Sequence, residues 1–300
     1  MHGGLSLRSG VLYVGRHADT AHVRAYDLDG NALTAGFSFR SGDDNGSGAR
    51  VSGLDVDRDR TIWVADNIAG KVRAFSVFGR EVASFAQLRG APANDSGGGE
   101  DRRGDLAQIS DISILEEEQE DRLLISCAGR RRYALSIARM DGSWIAGLRS
   151  EGDPLGTFRG LVRATAHGRW VFACETGAAR VQVFRDSEFH FLFRVPGSAG
   201  GRLEPTAAAP LSDGRWVLAV RGQESALLIV DSAGRLVRVL AGSGVDTGSV
   251  QAPEDVVVEQ GHDLAHTRIA VLDRDAERVQ VFTVEGHCYG AVQSLPGEAL

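Results

Sequence analysis

The chain alternates short apolar stretches with polar turns, and nowhere does it sustain the 3.6-residue period of an amphipathic helix. Residues 61–79 read TIWVADNIAGKVRAFSVFG, residues 169–188 read RWVFACETGAARVQVFRDSE, and residues 268–286 read RIAVLDRDAERVQVFTVEG. In each, an apolar strand ends in an acid and a short polar loop leads to a base. A second strand with period-two alternation (VRAF, VQVF, VQVF) then runs into a turn. Self-similarity of this kind decides the fold class.

The first apolar residue of the alternating strand recurs at Val23, Val72, Leu135, Val181, Leu227 and Val279, with spacings of 49, 63, 46, 46 and 52 residues. Seven residues beyond these anchors stand Gly30, Gly79, Gly142, Glu188, Gly234 and Gly286. A hairpin that needs positive φ at one position selects glycine there. A further strand precedes each unit, at residues 54–57, 112–115, 161–164, 206–209 and 256–258. Another follows the turn, at residues 82–85, 144–148, 189–193 and 236–240. Four short strands per unit, six times over, predict an all-β chain: a six-bladed β-propeller of four-stranded antiparallel blades. One propeller domain is expected over residues 1–300, with blades at about 1–40, 41–90, 105–150, 157–195, 203–241 and 250–295. The first and last blades each hold their own strands, so no strand exchanged between the chain ends is expected to close the ring.

These segments resemble the NHL repeat, whose pattern runs as apolar strand, V-A-D, four variable residues, R-V, x-x-F and a glycine turn. The stretch AGSGVDTGSVQAPEDVVV (241–258) looks like that family's inter-blade linker. Units two, four and six match best, and unit three departs most, with GRRRYA in place of the acid-to-base loop. The resemblance implies a propeller serving as a protein-binding or RNA-binding module or, less often, as an enzyme. The fold alone does not choose among these.

Charge narrows the choice. A net charge of −7 disfavours non-specific nucleic-acid binding, which rests on neutralising phosphates. Cys127, Cys174 and Cys288 are far apart and without CxxC spacing, so neither a zinc cluster nor a disulfide framework is indicated. There is no apolar run long enough to span a bilayer and no signal-type apolar segment near Met1, so a soluble, cytoplasmic monomer is the favoured expectation.

Candidate chemistry is sparse. Asp66 with Lys71, Glu175 with Arg180 and Asp273 with Arg278 repeat with the blades, which points to turn-capping acids rather than catalysis. His17 and His22 flank the equivalent loop of blade one, and His262 and His266, with Asp263 between them, read as a solvated hairpin loop. Asn67 beside Asp66 could supply part of the ligand set that lactonase-like six-bladed propellers place around an axial divalent ion, but no partners are identifiable. No cofactor, catalytic or metal residue is therefore assigned. Basic clusters stand at Arg102–Arg103 and Arg130–Arg132. The expected function is a non-enzymatic module binding a protein or small ligand on the face carrying the inter-blade linkers, through Arg130, Arg131, Arg132, Arg221 and Arg274, whose planar forks suit carboxylates. The alternatives are a divalent-metal-dependent hydrolase or lyase and an RNA-binding NHL domain.

Overall fold

Each repeat folds into one sheet of four antiparallel strands in sequential order, and the six sheets are the blades of a β-propeller. The computed structural model describes residues 2–17, 20–40, 49–92, 105–106, 108–128, 133–152, 157–196 and 203–293. Blade one comprises β1 (His2–Arg8), β2 (Val11–His17), β3 (Ala21–Tyr26) and β4 (Ala32–Phe39). Blade two is β5 (Val51–Val56), β6 (Ile62–Asp66), β7 (Lys71–Phe75) and β8 (Glu81–Phe85). Blade three is β9 (Ile109–Leu115), β10 (Arg122–Cys127), β11 (Leu135–Arg139) and β12 (Trp144–Leu148). Blade four is β13 (Leu161–His167), β14 (Trp170–Glu175), β15 (Arg180–Arg185) and β16 (Glu188–Arg194). Blade five is β17 (Glu204–Pro210), β18 (Trp216–Arg221), β19 (Ala226–Val230) and β20 (Leu236–Ala241). Blade six is β21 (Pro253–Glu259), β22 (Arg268–Asp273), β23 (Arg278–Phe282) and β24 (Cys288–Gln293). A 3₁₀ turn at Leu264–His266 is the only helical element among the described residues.

The turn glycines behave as the repeat requires. Gly30, Gly79, Gly142, Gly234 and Gly286 all have φ between 77° and 91°. At the exception, blade four, the chain reverses through Asp186 and Ser187 instead, both with positive φ. That turn is tighter, so β16 begins at Glu188, where the other blades still have their glycine.

Six apolar clusters hold the ring, one at each blade–blade junction, including blade six against blade one. Phe75, Phe184 and Phe282, the aromatic ends of VRAF, VQVF and VQVF, are wholly buried in these layers. Each such side chain contributes about 1.5–3 kcal/mol by leaving water. No strand is exchanged between the ends of the chain: β1 to β4 and β21 to β24 form separate complete blades.

The inner strands β1, β5, β9, β13, β17 and β21 run side by side around the axis without pairing as a sheet. Side chains cross the gaps instead. Asp55 accepts the Ile114 amide at 2.7 Å, Ser113 accepts the Ala166 amide at 3.0 Å, and Thr206 Oγ1 donates to the Pro253 carbonyl at 2.8 Å. Asp255 accepts the Leu5 amide at 3.0 Å, which ties the last blade to the first.

The repeated acids are structural and wholly buried. Glu175 accepts the Arg159 amide at 2.8 Å, and Asp273 accepts those of Gln251 and Ala252, so each acid holds the linker entering its own blade. Glu175 pairs with Arg180 at 2.8 Å and Asp273 with Arg278 at 3.5 Å, as the spacing implies. In blade two the expected partner is wrong. Lys71 faces Asp66 across the strands, but the guanidinium that reaches it is that of Arg73, at 3.5 Å. Arg73 occupies the position that Gln182 and Gln280 fill in blades four and six, one residue past the anchor, where a side chain points at the linker. Gln182 uses it to donate to Glu175 at 2.6 Å.

Replacing Glu175 with Ala removes a partner from a half-buried arginine, from the Arg159 amide and from buried Gln182. Glu175→Ala is therefore expected to lower the unfolding free energy by about 2–4 kcal/mol in urea titration. Glu188→Ala, on an exposed outer strand, should change it by less than about 0.5 kcal/mol. Equal effects for the two would remove the structural role assigned to the acid.

Candidate functional site: an axial funnel

Because the inner strands all run from the linker face toward the hairpin that joins first and second strands, their C-terminal halves share one end of the axis. There they enclose a funnel of about 500 Å³. Its wall is made of residues 5–9, 54–56, 112–114, 116, 165–168, 209–210 and 257–260, and its lining reaches inward to Asp111, Arg163 and Asp255. It therefore opens on the hairpin face, opposite the linkers.

Its floor is a charged knot. Arg163 Nη1 donates to Asp255 Oδ2 at 2.6 Å and to Asp111 Oδ1 at 3.1 Å, and all three side chains are less than a tenth exposed. Arg163 Nε has no partner. Each of the three stands two residues after its strand begins, on β9, β13 and β21. The same level in blades one and two holds Gly4 and Gly53. A Cβ on Gly53 would lie 2.3 Å from Asp111 Oδ1 and 2.6 Å from the Ile112 amide nitrogen, and one on Gly4 would lie 2.7 Å from the Leu54 nitrogen. The strands of blades one to three thus approach too closely for any side chain, and the remaining space is filled by the guanidinium.

Burial pushes the Asp111 carboxyl up, to about 8. Arg163 opposes this, while the nearby Asp255 charge adds to it. Asp255 is pushed up less, to about 6, by burial against the same guanidinium. Burial works against the Arg163 charge, but Asp111 and Asp255 together outweigh it and hold the arginine charged. One shell outward, Asp55 is raised by burial although it accepts hydrogen bonds from Ser6 Oγ (2.8 Å) and the Val56 and Ile114 amides. At the rim Arg8 pairs with Glu116, and Glu259 accepts the Gly10 amide at 2.7 Å. His167, also at the rim, has its pKa lowered by desolvation, with Glu116 opposing.

Of the arginines expected to bind a partner, Arg221 and Arg274 are not part of this funnel. Arg221 ends β18 and lies 4.0 Å from Glu204; Arg274 follows β22 and lies 3.1 Å from Asp275. Both are on the linker face. Arg130, Arg131 and Arg132, like Arg102 and Arg103, lie outside the described residues. Asn67 is taken up by the Ile109 carbonyl at 2.5 Å, and Asp66 by the amides of Arg50 in the linker and Ala69 in the β6–β7 loop, and neither lines the funnel. His22 contacts Ser38 Oγ at 2.7 Å on the outer side of blade one. None of the three cysteines forms a disulfide, and burial pushes the Cys174 thiol well up, leaving it protonated. Among the described residues, the only close grouping of three metal-ligating side chains is His262, Asp263 and His266, outside the funnel.

No protein-family model matches the chain, and no curated protein matches it by sequence. Solved structures do resemble it. A streptogramin B lyase aligns over 99% of this chain and 84% of its own, with a TM-score of 0.57 at 13% identity. The virginiamycin B lyase of Staphylococcus aureus aligns over 98% and 84%, with 0.56 at 11%, and a protein from Lactobacillus plantarum over 98% and 85%, with 0.52 at 14%. At such identities the likeness establishes the propeller fold alone.

The raised carboxyls have a pH signature. An aspartate whose folded pKa exceeds its unfolded value of about 3.9 binds more protons folded than unfolded between the two values. Its stabilising contribution is complete below about pH 4 and is lost as pH rises through the folded pKa. Asp111→Asn cannot ionise. Its stability in urea should fall less steeply than that of the parent from about pH 5 to pH 8, and identical slopes would mean that Asp111 is not raised.

Proposed function

We propose that the axial funnel on the hairpin face is the working site of this propeller, and that it binds a small polar molecule carrying hydrogen-bond donors or positive charge. The observation that carries this is the funnel's acidity: its lining holds four carboxylates, Asp55, Glu116, Asp255 and Glu259, beside the carboxyl group of Asp111, which is raised to about 8, against two guanidiniums and one imidazole. A concave site with a few convergent polar groups and perturbed carboxyls is the usual form of a small-ligand site. The chain is read as an NHL-type repeat protein used for binding. Docking of a protein on the linker face through Arg221 and Arg274 ranks second, since each of these already has a carboxylate within 4 Å.

A lyase-type reading has one observation in its favour. Asp111, raised to about 8, would hold a proton at neutral pH beside the charged Arg163, a pairing able to donate that proton and steady a developing anion. Binding and turnover separate in one experiment. Small amines and polyhydroxylated amines are screened for thermal stabilisation of the protein, since a ligand at a hundred times its Kd adds about 2.7 kcal/mol. Thr165→Trp, which fills the half-buried wall, should abolish the shift, and Arg221→Ser with Arg274→Ser should leave it intact. The opposite pattern would move the site to the linker face. If the ligand is consumed, Asp111→Asn should bind it and fail to turn it over.

A further inference from the structure

Residues 260–267 connect β21 to β22, whereas residues 9–10 suffice between β1 and β2. This connection is ordered by its own bonds. Thr267, wholly buried, donates from Oγ1 to the Asp263 carbonyl at 3.0 Å and accepts the Gly261 amide at 3.3 Å. The Thr267 amide donates to the Leu264 carbonyl at 3.2 Å, which closes the 3₁₀ turn, and Asp263 Oδ1 accepts the His266 amide at 2.9 Å. Gly261 lies so close that a Cβ there would stand 2.4 Å from the His266 carbonyl carbon. The outcome is that three exposed side chains converge. His266 Nδ1 lies 2.7 Å from Asp263 Oδ1, and His262 Nε2 lies 3.3 Å from Asp263 Oδ2. The two rings face each other at 3.9 Å between centroids, tilted by 34°.

We infer that His262, Asp263 and His266 form a binding site for a divalent transition metal of the zinc class, on the hairpin face of blade six. Three features support this. Ligands bonded at about 2.0–2.1 Å in a tetrahedral shell stand about 3.3 Å from one another; here one ligand atom from each of the three residues lies within 4.8 Å of the others, a spacing that small side-chain rotations close. Two imidazoles and one carboxylate suit zinc, cobalt, nickel or copper. Magnesium and calcium demand mostly oxygen ligands, and only one side chain here supplies them. The backbone that carries the ligands is fixed by Thr267 and Gly261, so little ordering remains to oppose binding. With three protein ligands the metal keeps a position open to solvent, on the same face as the funnel, whose wall includes Gln260 at the start of this loop.

The test uses untagged full-length protein, with zinc partitioned between it and a chromogenic chelator. One zinc per chain is expected, with affinity unchanged by millimolar magnesium. His262 makes no bond to the loop backbone among the described contacts, so His262→Ala should keep the fold, as checked by its melting temperature, and weaken zinc at least tenfold, no less than the loss of an outer-sphere partner. His262→Ala with His266→Ala should bring binding to background. Zinc bound equally by parent and double variant, or absent from a folded parent, would overturn the assignment.

Discussion

A single guanidinium, that of Arg163, lies on the propeller axis between the side-chain carboxyl groups of Asp111 and Asp255 from two other blades. An ion buried there costs several kcal/mol unless it is paired, so blade four can bring Arg163 inward only because blades three and six bring Asp111 and Asp255 to meet it. The knot does not by itself make the ring stable, since apolar substitutes of the same shape could serve as well. Its consequence is geometric. With Gly4 and Gly53 drawing the strands of blades one and two inward, the axis is filled at this level. Among the described residues, the lining of the funnel ends inward at this knot, and its outer wall lies on the hairpin face.

The rest of the ring is consistent with that closure. Adjacent inner strands are held by serine, threonine and aspartate side chains bonded to the neighbouring backbone, with apolar layers behind them. Blade six joins blade one in the same way, through Asp255 and the Leu5 amide and through an apolar cluster of its own. Asp255 thus serves the ring closure and the axial knot together. Buried polar residues that must satisfy two partners at once tolerate little displacement, which makes the floor of the funnel a rigid surface against which a ligand could be oriented.

The fold was legible in the sequence because its determinants are local. A glycine at a fixed offset and VRAF or VQVF alternation report turns and strands directly, and the one irregular blade moved its positive φ to Asp186 and Ser187 without changing the strand count. The capping role of Glu175 and Asp273 was legible for the same reason. The funnel was not. Asp111 and Asp255 stand just before the stretches read as inner strands, whereas the strands in fact begin at Ile109 and Pro253. Nothing in the local pattern says that residues 52 and 92 positions from Arg163 meet it on an axis. A usable signal existed: in three blades the third residue of the inner strand is charged, where a buried strand ordinarily is not. His262, Asp263 and His266 were hidden differently, because their convergence depends on the Thr267 bonds and the tight passage of Gly261 rather than on spacing.

Closure of the axis at the Arg163 knot decides whether the funnel has one mouth. A crystal structure at neutral pH, refined with its ordered solvent, tests it most directly. The account predicts the Arg163 guanidinium within hydrogen-bond distance of both Asp111 and Asp255, with water confined to the hairpin side of that knot. An Arg163 side chain turned away from the axis, with a continuous file of water running from one face of the propeller to the other, would contradict it.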